Sequence, residues 1–92
     1  MNSPQRLRAV FDEATLRFPG LTAEDINGGK CFEWATIVFD LLEGSKIAGH
    51  SISGHGHSYI EIDSVCYDAE CYEGRADWLD LPFFERIRHE NA

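Results

Sequence analysis

Three side chains in this sequence have the types and order needed for covalent acyl chemistry. Cys31 follows Gly28-Gly29-Lys30 and opens the apolar run CFEWATIVFDLLEG; His57 lies in GHGHSYIEI; and Asp68 lies in VCYDAE. A thiol becomes a nucleophile when it loses its proton readily, and the first turn of a helix favours the thiolate through its free N–H groups and positive dipole end. It then needs a base, which a histidine on a neighbouring strand supplies, and the base needs a carboxylate to set its tautomer. A competing chemistry is metal binding. His55 and His57 fall on one side of an extended strand, and with His50 and Glu61 they could hold zinc. No ligand spacing such as H-E-x-x-H accompanies them, so His57 is read as the base and no metal or cofactor is expected.

The elements that must position these groups are legible from the pattern of apolar residues. From Ser3, with Pro4 at the first helical position, Leu7, Val10, Phe11, Ala14 and Phe18 recur at helical spacing until Pro19-Gly20. Thr22 with Asp25 caps a single further turn, and Asn27-Gly28-Gly29 is expected to bend. A second helix begins at Cys31 and closes at Gly44. Its polar residues Glu33, Thr36, Asp40 and Glu43 share one side, so every other position is expected to face protein, with Cys31 pointing inward beside Ala35, Val38 and Leu42.

Strands are expected at Lys46 to Ile52, His57 to Asp63 and Val65 to Ala69. If Asp63-Ser64 forms a two-residue hairpin loop, Ile62 opposes Val65, Tyr59 opposes Asp68 and His57 opposes Glu70. One face then carries Ile60, Ile62, Val65 and Tyr67, and the other carries His57, Tyr59, Glu61, Cys66 and Asp68, with Asp68 diagonal to His57. Cys66 and Cys71 fall on opposite faces if the strand runs through both. After Gly74, the segment RADWLDLPFFERIRHENA supplies a short turn and a short helix divided at Pro82, and Trp34, Trp78, Phe83 and Phe84 are read as core. The expected class is α+β: an antiparallel sheet of about three strands packed with two to three helices in one domain, residues 1 to 92.

The segments GGKCFEWATIVFDLLEG and GHSYIEIDSVCYDAE resemble the papain-like and transglutaminase-like cysteine folds. More narrowly, they are similar to small bacterial and phage proteins with G-x-C-x-x-x-A, a strand opening with His, and a following strand ending in Y-D-A. The resemblance covers about residues 28 to 72 and implies a minimal core of that fold. It implies Cys31 as nucleophile, His57 as general base and Asp68 as the group orienting His57, in a peptidase, another hydrolase or an acyl transferase acting on a peptide or amide, or in a degenerate copy of one. Papain-like enzymes usually place a glutamine ahead of the cysteine as oxyanion donor. Here Ile26, Asn27, Gly28, Gly29 and Lys30 precede it, leaving Asn27 or the backbone N–H groups of Lys30 and Cys31.

Composition sets the remaining bounds. Ninety-two residues carry eight basic and sixteen acidic side chains, a formal charge of −8. Between Gly20 and Gly74 ten acids face only Lys30 and Lys46, so this segment holds the whole imbalance. Such a surface repels phosphate backbones and attracts a basic protein partner. The same charge supports a second class of function, a non-catalytic acidic inhibitor like the anti-CRISPR proteins, which occupy nucleic-acid sites on Cas effector complexes; that likeness is one of size and charge. No apolar stretch of ~18 residues and no signal-peptide centre occur, so a cytoplasmic protein off the membrane is expected. Three cysteines without a C-x-x-C pair argue for reduced thiols and a monomer, or for a homodimer joined through an exposed Cys66 or Cys71.

Overall fold

A computed structural model describes residues 3 to 90. Among them lie four α-helices, α1 (Pro4–Leu16), α2 (Ala23–Gly29), α3 (Cys31–Leu41) and α4 (Pro82–Glu90). Four strands, β1 (Lys46–Ile52), β2 (His55–Ile62), β3 (Val65–Asp68) and β4 (Cys71–Arg75), pair antiparallel in sequence order. The class is α+β, with one strand and one helix more than the pattern of apolar residues indicates. No helix among the described residues is long and apolar enough to cross a membrane.

Local chemistry accounts for most boundaries. Ser3 caps α1 by accepting from the Arg6 N–H at 3.1 Å, and Pro4 occupies the first turn where a missing N–H costs nothing. Thr22 and Asp25 cap α2 reciprocally, each side chain bonding the other's backbone N–H. The expected bend at Asn27-Gly28-Gly29 does not occur: these residues continue α2, and the break falls one residue later at Lys30. Tertiary anchoring overrides the weak helix propensity of glycine here, because Ile26 is buried and the Asn27 side chain donates to Glu70 Oε1 at 2.8 Å.

The β2–β3 register is the expected one. Ile62 pairs with Val65, Glu61 with Cys66 and Ile60 with Tyr67, around a loop whose Asp63 and Ser64 both adopt positive φ. β3 then ends at Asp68. The Glu70 N–H turns back onto Asp68 Oδ1 at 2.9 Å, the chain reverses through Ala69 and Glu70, and β4 pairs with β3, Asp68 opposite Cys71. This reversal corrects two expectations. Glu70 does not oppose His57, and Cys66 and Cys71 lie in one buried cluster instead of on opposite faces. All three cysteines are free, and neither Cys66 nor Cys71 is exposed for a link between chains.

Both faces of the sheet are covered. On one, Ile60 and Ile62 pack against Val10, Phe11 and Ala14 of α1 and Trp34, Ala35 and Val38 of α3. On the other, Tyr59, Cys66 and Cys71 pack under Leu81 and Phe84, the latter on α4, with Trp78 and Phe83 alongside. The outer side of α3 is less polar than expected: Phe32 is 57 % and Phe39 48 % exposed.

Candidate active site

Alternation along β2 places His57 with Tyr59 on the α4 side, whereas α3, which carries Cys31, packs on the opposite side. The two groups nevertheless meet, because β3 covers only part of the edge of β2. The β2–β3 ladder stops at Ile60 and Tyr67, and beyond it the Ser58 N–H is taken by Cys31 Sγ at 3.4 Å in place of a strand partner. The start of α3 thus plugs the uncovered edge. Cys31, Gly49, His50, Ser51, Gly56, His57 and Ser58 line one shallow depression of about 430 Å³ there.

His57 is locked on every side. Its side chain is 0 % exposed, its ring stacks on Phe83 with centroids 4.4 Å apart, and the edge of Phe84 lies against it. Nε2 stands 2.8 Å from Asp68 Oδ2, itself buried, so the hydrogen on Nε2 points to a carboxylate and Nδ1 keeps its lone pair. Nδ1 is buried and has no hydrogen-bond partner. A buried acceptor of this kind costs free energy unless something fills it, and orphans of this kind concentrate where chemistry is done.

The protonation tendencies of the sulfur and the ring are matched. Burial alone pushes the His57 imidazole down, but Asp68 and the neighbouring Cys31 outweigh it and hold the ring above its ordinary value. Burial pushes the Cys31 thiol up, yet the His57 imidazole and the N–H groups of Ser58 and Phe32 draw it below its ordinary value. The other two thiols behave oppositely. Burial and then Glu73 drive Cys71 up to about 11, and burial and then Glu61 raise Cys66.

A further layer supports Asp68. Glu70, whose backbone shapes the turn after β3, receives a bidentate pair from Arg86 of α4 at 2.7 and 2.9 Å and a third bond from Asn27 of α2. Burial would raise the Glu70 carboxyl, but Arg86 and Asn27 hold it below the usual carboxylate range. This one side chain ties α2, α4 and the β3–β4 turn together behind the site.

The structure places Cys31 beside His57 and bonds His57 to Asp68. Asn27, one of the expected oxyanion donors, is buried and committed to Glu70. The possible zinc set does not assemble: among the described residues no three of His, Cys, Asp and Glu are grouped to hold a metal. Phe83 and Trp78, read as core, are half-buried and stack on His57 and His50 respectively. The Glu70–Arg86 pair and the Ser58 N–H carry no sequence signature, since each acquires its role only from the turn at Ala69-Glu70. The chain matches none of the protein-family models, curated proteins or solved structures compared with it.

Proposed function

We propose that this protein is a small cysteine-dependent hydrolase or acyl transferase of papain-like or transglutaminase-like type, acting on a peptide or amide carbonyl. Cys31 is the nucleophile, His57 takes its proton through Nδ1, and Asp68 fixes the imidazole through Nε2. The observation that carries this reading is a buried His57 whose Nε2 is held by Asp68 and whose Nδ1 is left open, beside a thiol that this ring draws below its ordinary value. The reaction runs in two halves. Sulfur adds to the carbonyl and the proton held on His57 passes to the leaving group; water, or a second nucleophile, then attacks the thioester with His57 as base. The openness of the depression suits an extended or flexible segment of a larger substrate better than a small molecule, which needs enclosure.

Alkylation with iodoacetamide tests the first requirement. Cys31 in the folded protein reacts at neutral pH well ahead of Cys66 and Cys71, and His57→Gln abolishes that lead. Equal rates for the three thiols in the native protein end the enzyme reading.

A second reading is a non-catalytic acidic inhibitor, such as an anti-CRISPR protein, that occupies a basic nucleic-acid-binding surface of a Cas effector. Phe32 and Phe39 favour it: two exposed rings on one side of α3 beside Glu33 and Asp40 form an apolar strip with an acidic border. Under this reading Cys31→Ala still blocks DNA binding by the effector, and Phe39→Ser with Asp40→Lys does not. The opposite pattern removes it.

A further inference from the structure

Acyl transfer needs a donor for the carbonyl oxygen that becomes negative when sulfur adds, and the start of α3 has already aimed two of its neighbouring donors elsewhere. The Ser58 N–H is directed at Sγ, where it stabilises the thiolate. Asn27 is bonded to Glu70. Among the residues lining the depression, His50 is the remaining side chain that offers an N–H from a fixed ring. In the β1–β2 register it stands directly opposite His57, which puts the two imidazoles on one face with Cβ atoms roughly 4.5–5.5 Å apart.

Two contacts immobilise His50 although it is exposed. Its ring lies flat on the Trp78 indole, centroids 3.9 Å apart and planes within 6°, and its Nδ1 is 2.8 Å from the Tyr59 hydroxyl. Tyr59 is buried, and burial pushes its hydroxyl up to about 12, so the phenol keeps its proton. A phenol donates better than it accepts. With Tyr59 donating to Nδ1, the neutral ring carries its hydrogen on Nε2. The two histidines are thereby held in the same Nε2–H tautomer with opposite ends left open. Asp68 leaves His57 with a lone pair at Nδ1, and Tyr59 leaves His50 with an N–H at Nε2.

We infer that His50 is the side-chain oxyanion donor of this site, its Nε2–H set by Tyr59 and its ring held by Trp78, hydrogen-bonding the substrate carbonyl oxygen as Cys31 adds. The inference rests on the Cys31–His57–Asp68 reading. In the step it serves, a sulfur lone pair forms the C–S bond and the carbonyl π pair moves onto oxygen. Nε2–H stabilises that charge without transferring its proton. On collapse the pair returns, the bond to the leaving group breaks, and that group takes the proton from His57. A ring fixed before the reaction does not have to be ordered during it, which gives His50 an advantage over the exposed Ser51 hydroxyl on the same rim.

Two reagents separate this role from that of the triad. Iodoacetamide alkylation occurs at a saturated carbon and builds no oxyanion, whereas acylation by p-nitrophenyl acetate builds one. His50→Phe keeps a flat ring for Trp78 and removes the donor; we expect Cys31 alkylation at the native rate and acylation slower by about 10² to 10³. His50→Gln, which retains an N–H, recovers part of the loss. Tyr59→Phe slows acylation less than His50→Phe does and leaves alkylation alone. Native acylation by His50→Phe, with Cys31 alkylation still fast, overturns the His50 assignment and leaves the triad standing. Equal falls in both reactions also overturn it, because His50 would then be acting on the thiolate. A native Cys31 no more reactive than Cys66 and Cys71 overturns the triad reading and this one together.

Discussion

Asp68→Asn tests the site with the least disturbance of the fold. Asp68 has two acceptors in use, Oδ1 from the Glu70 N–H and Oδ2 from His57 Nε2. Asparagine satisfies the first, since its amide oxygen sustains the same turn. Its NH2 group then faces Nε2, and two donors cannot share one hydrogen bond. The ring responds by moving its hydrogen to Nδ1, so that Nε2 accepts from the amide. His57 survives in place with the wrong nitrogen protonated toward Cys31. Replacing a buried, charge-assisted bond by a neutral one costs about 1–2 kcal/mol, small enough for a folded protein. The chemical loss is larger. An ordinary thiol with a pKa of about 8.5 is roughly 3 % ionised at pH 7, so removing the support of His57 lowers alkylation of Cys31 by at most about 30-fold. Acylation also needs the base and acid, and falls by roughly 10² to 10⁴. Both rates are read on one preparation by mass spectrometry of the Cys31 peptide, with circular dichroism confirming the fold. Alkylation and acylation at native rates, in a folded Asp68→Asn protein, refute the claim that Asp68 sets the tautomer of His57.

Four further outcomes follow from particular contacts. His57 binds its proton more tightly folded than unfolded, so its contribution is complete below pH ~6.5 and fades as pH rises through the raised folded value; the gap in Tm between native protein and His57→Gln should narrow across that window, and a constant gap counts against it. Glu70→Gln weakens the Arg86 and Asn27 bonds and should cost about 1 kcal/mol in urea unfolding at pH 7, discounted because Arg86 is 38 % exposed; as the Glu70 carboxyl is held low when folded, the loss relative to native protein should vanish as pH falls through that lowered value. Gly74→Ala should destabilise by about 2–4 kcal/mol, since Gly74 has φ +82° and a Cβ there would lie 2.5 Å from Val65 Cγ1 and 2.7 Å from Tyr67 Cε2. Gly28→Ala, in open space on α2, should raise stability by about 0.4–1 kcal/mol, which a Tm below that of the native protein contradicts.

What the sequence made legible is whatever local rules decide. Pro4 and the Thr22/Asp25 pair mark helix starts, and the positive-φ loop at Asp63-Ser64 sets a register that brings Asp68 diagonally to His57. β4 escaped because the turn before it has neither glycine nor proline; an aspartate carboxylate makes the turn instead. The helical state of Gly28 and Gly29 escaped because it depends on Asn27 reaching 43 residues along the chain to Glu70. The exposure of Phe32 and Phe39 contradicts the expectation that hydrophobic positions of α3 face inward, which is the ordinary failure of a one-way rule: apolar residues fill cores, but cores do not claim every apolar residue. The contact of His50 with Tyr59 carries no sequence signal, because the register between the two strands that hold them is set only in the fold.

The position of Asp68 explains how two faces of one sheet contribute to a single site. Strand alternation alone would leave Cys31 and His57 on opposite faces of the sheet, each buried against a different helix layer. They meet only where β2 has a free edge, and that edge is free because β3 stops at Asp68. The oxygen that accepts the Glu70 N–H turns the chain, and the other oxygen of the same carboxylate orients His57. The residue that opens the gap for the thiol is therefore the residue that orients the imidazole beside it. A continued β3 would pair with the Ser58 N–H, displace Cys31 Sγ from it and close the depression. Ending one strand early is what brings a helix terminus to a histidine across this sheet.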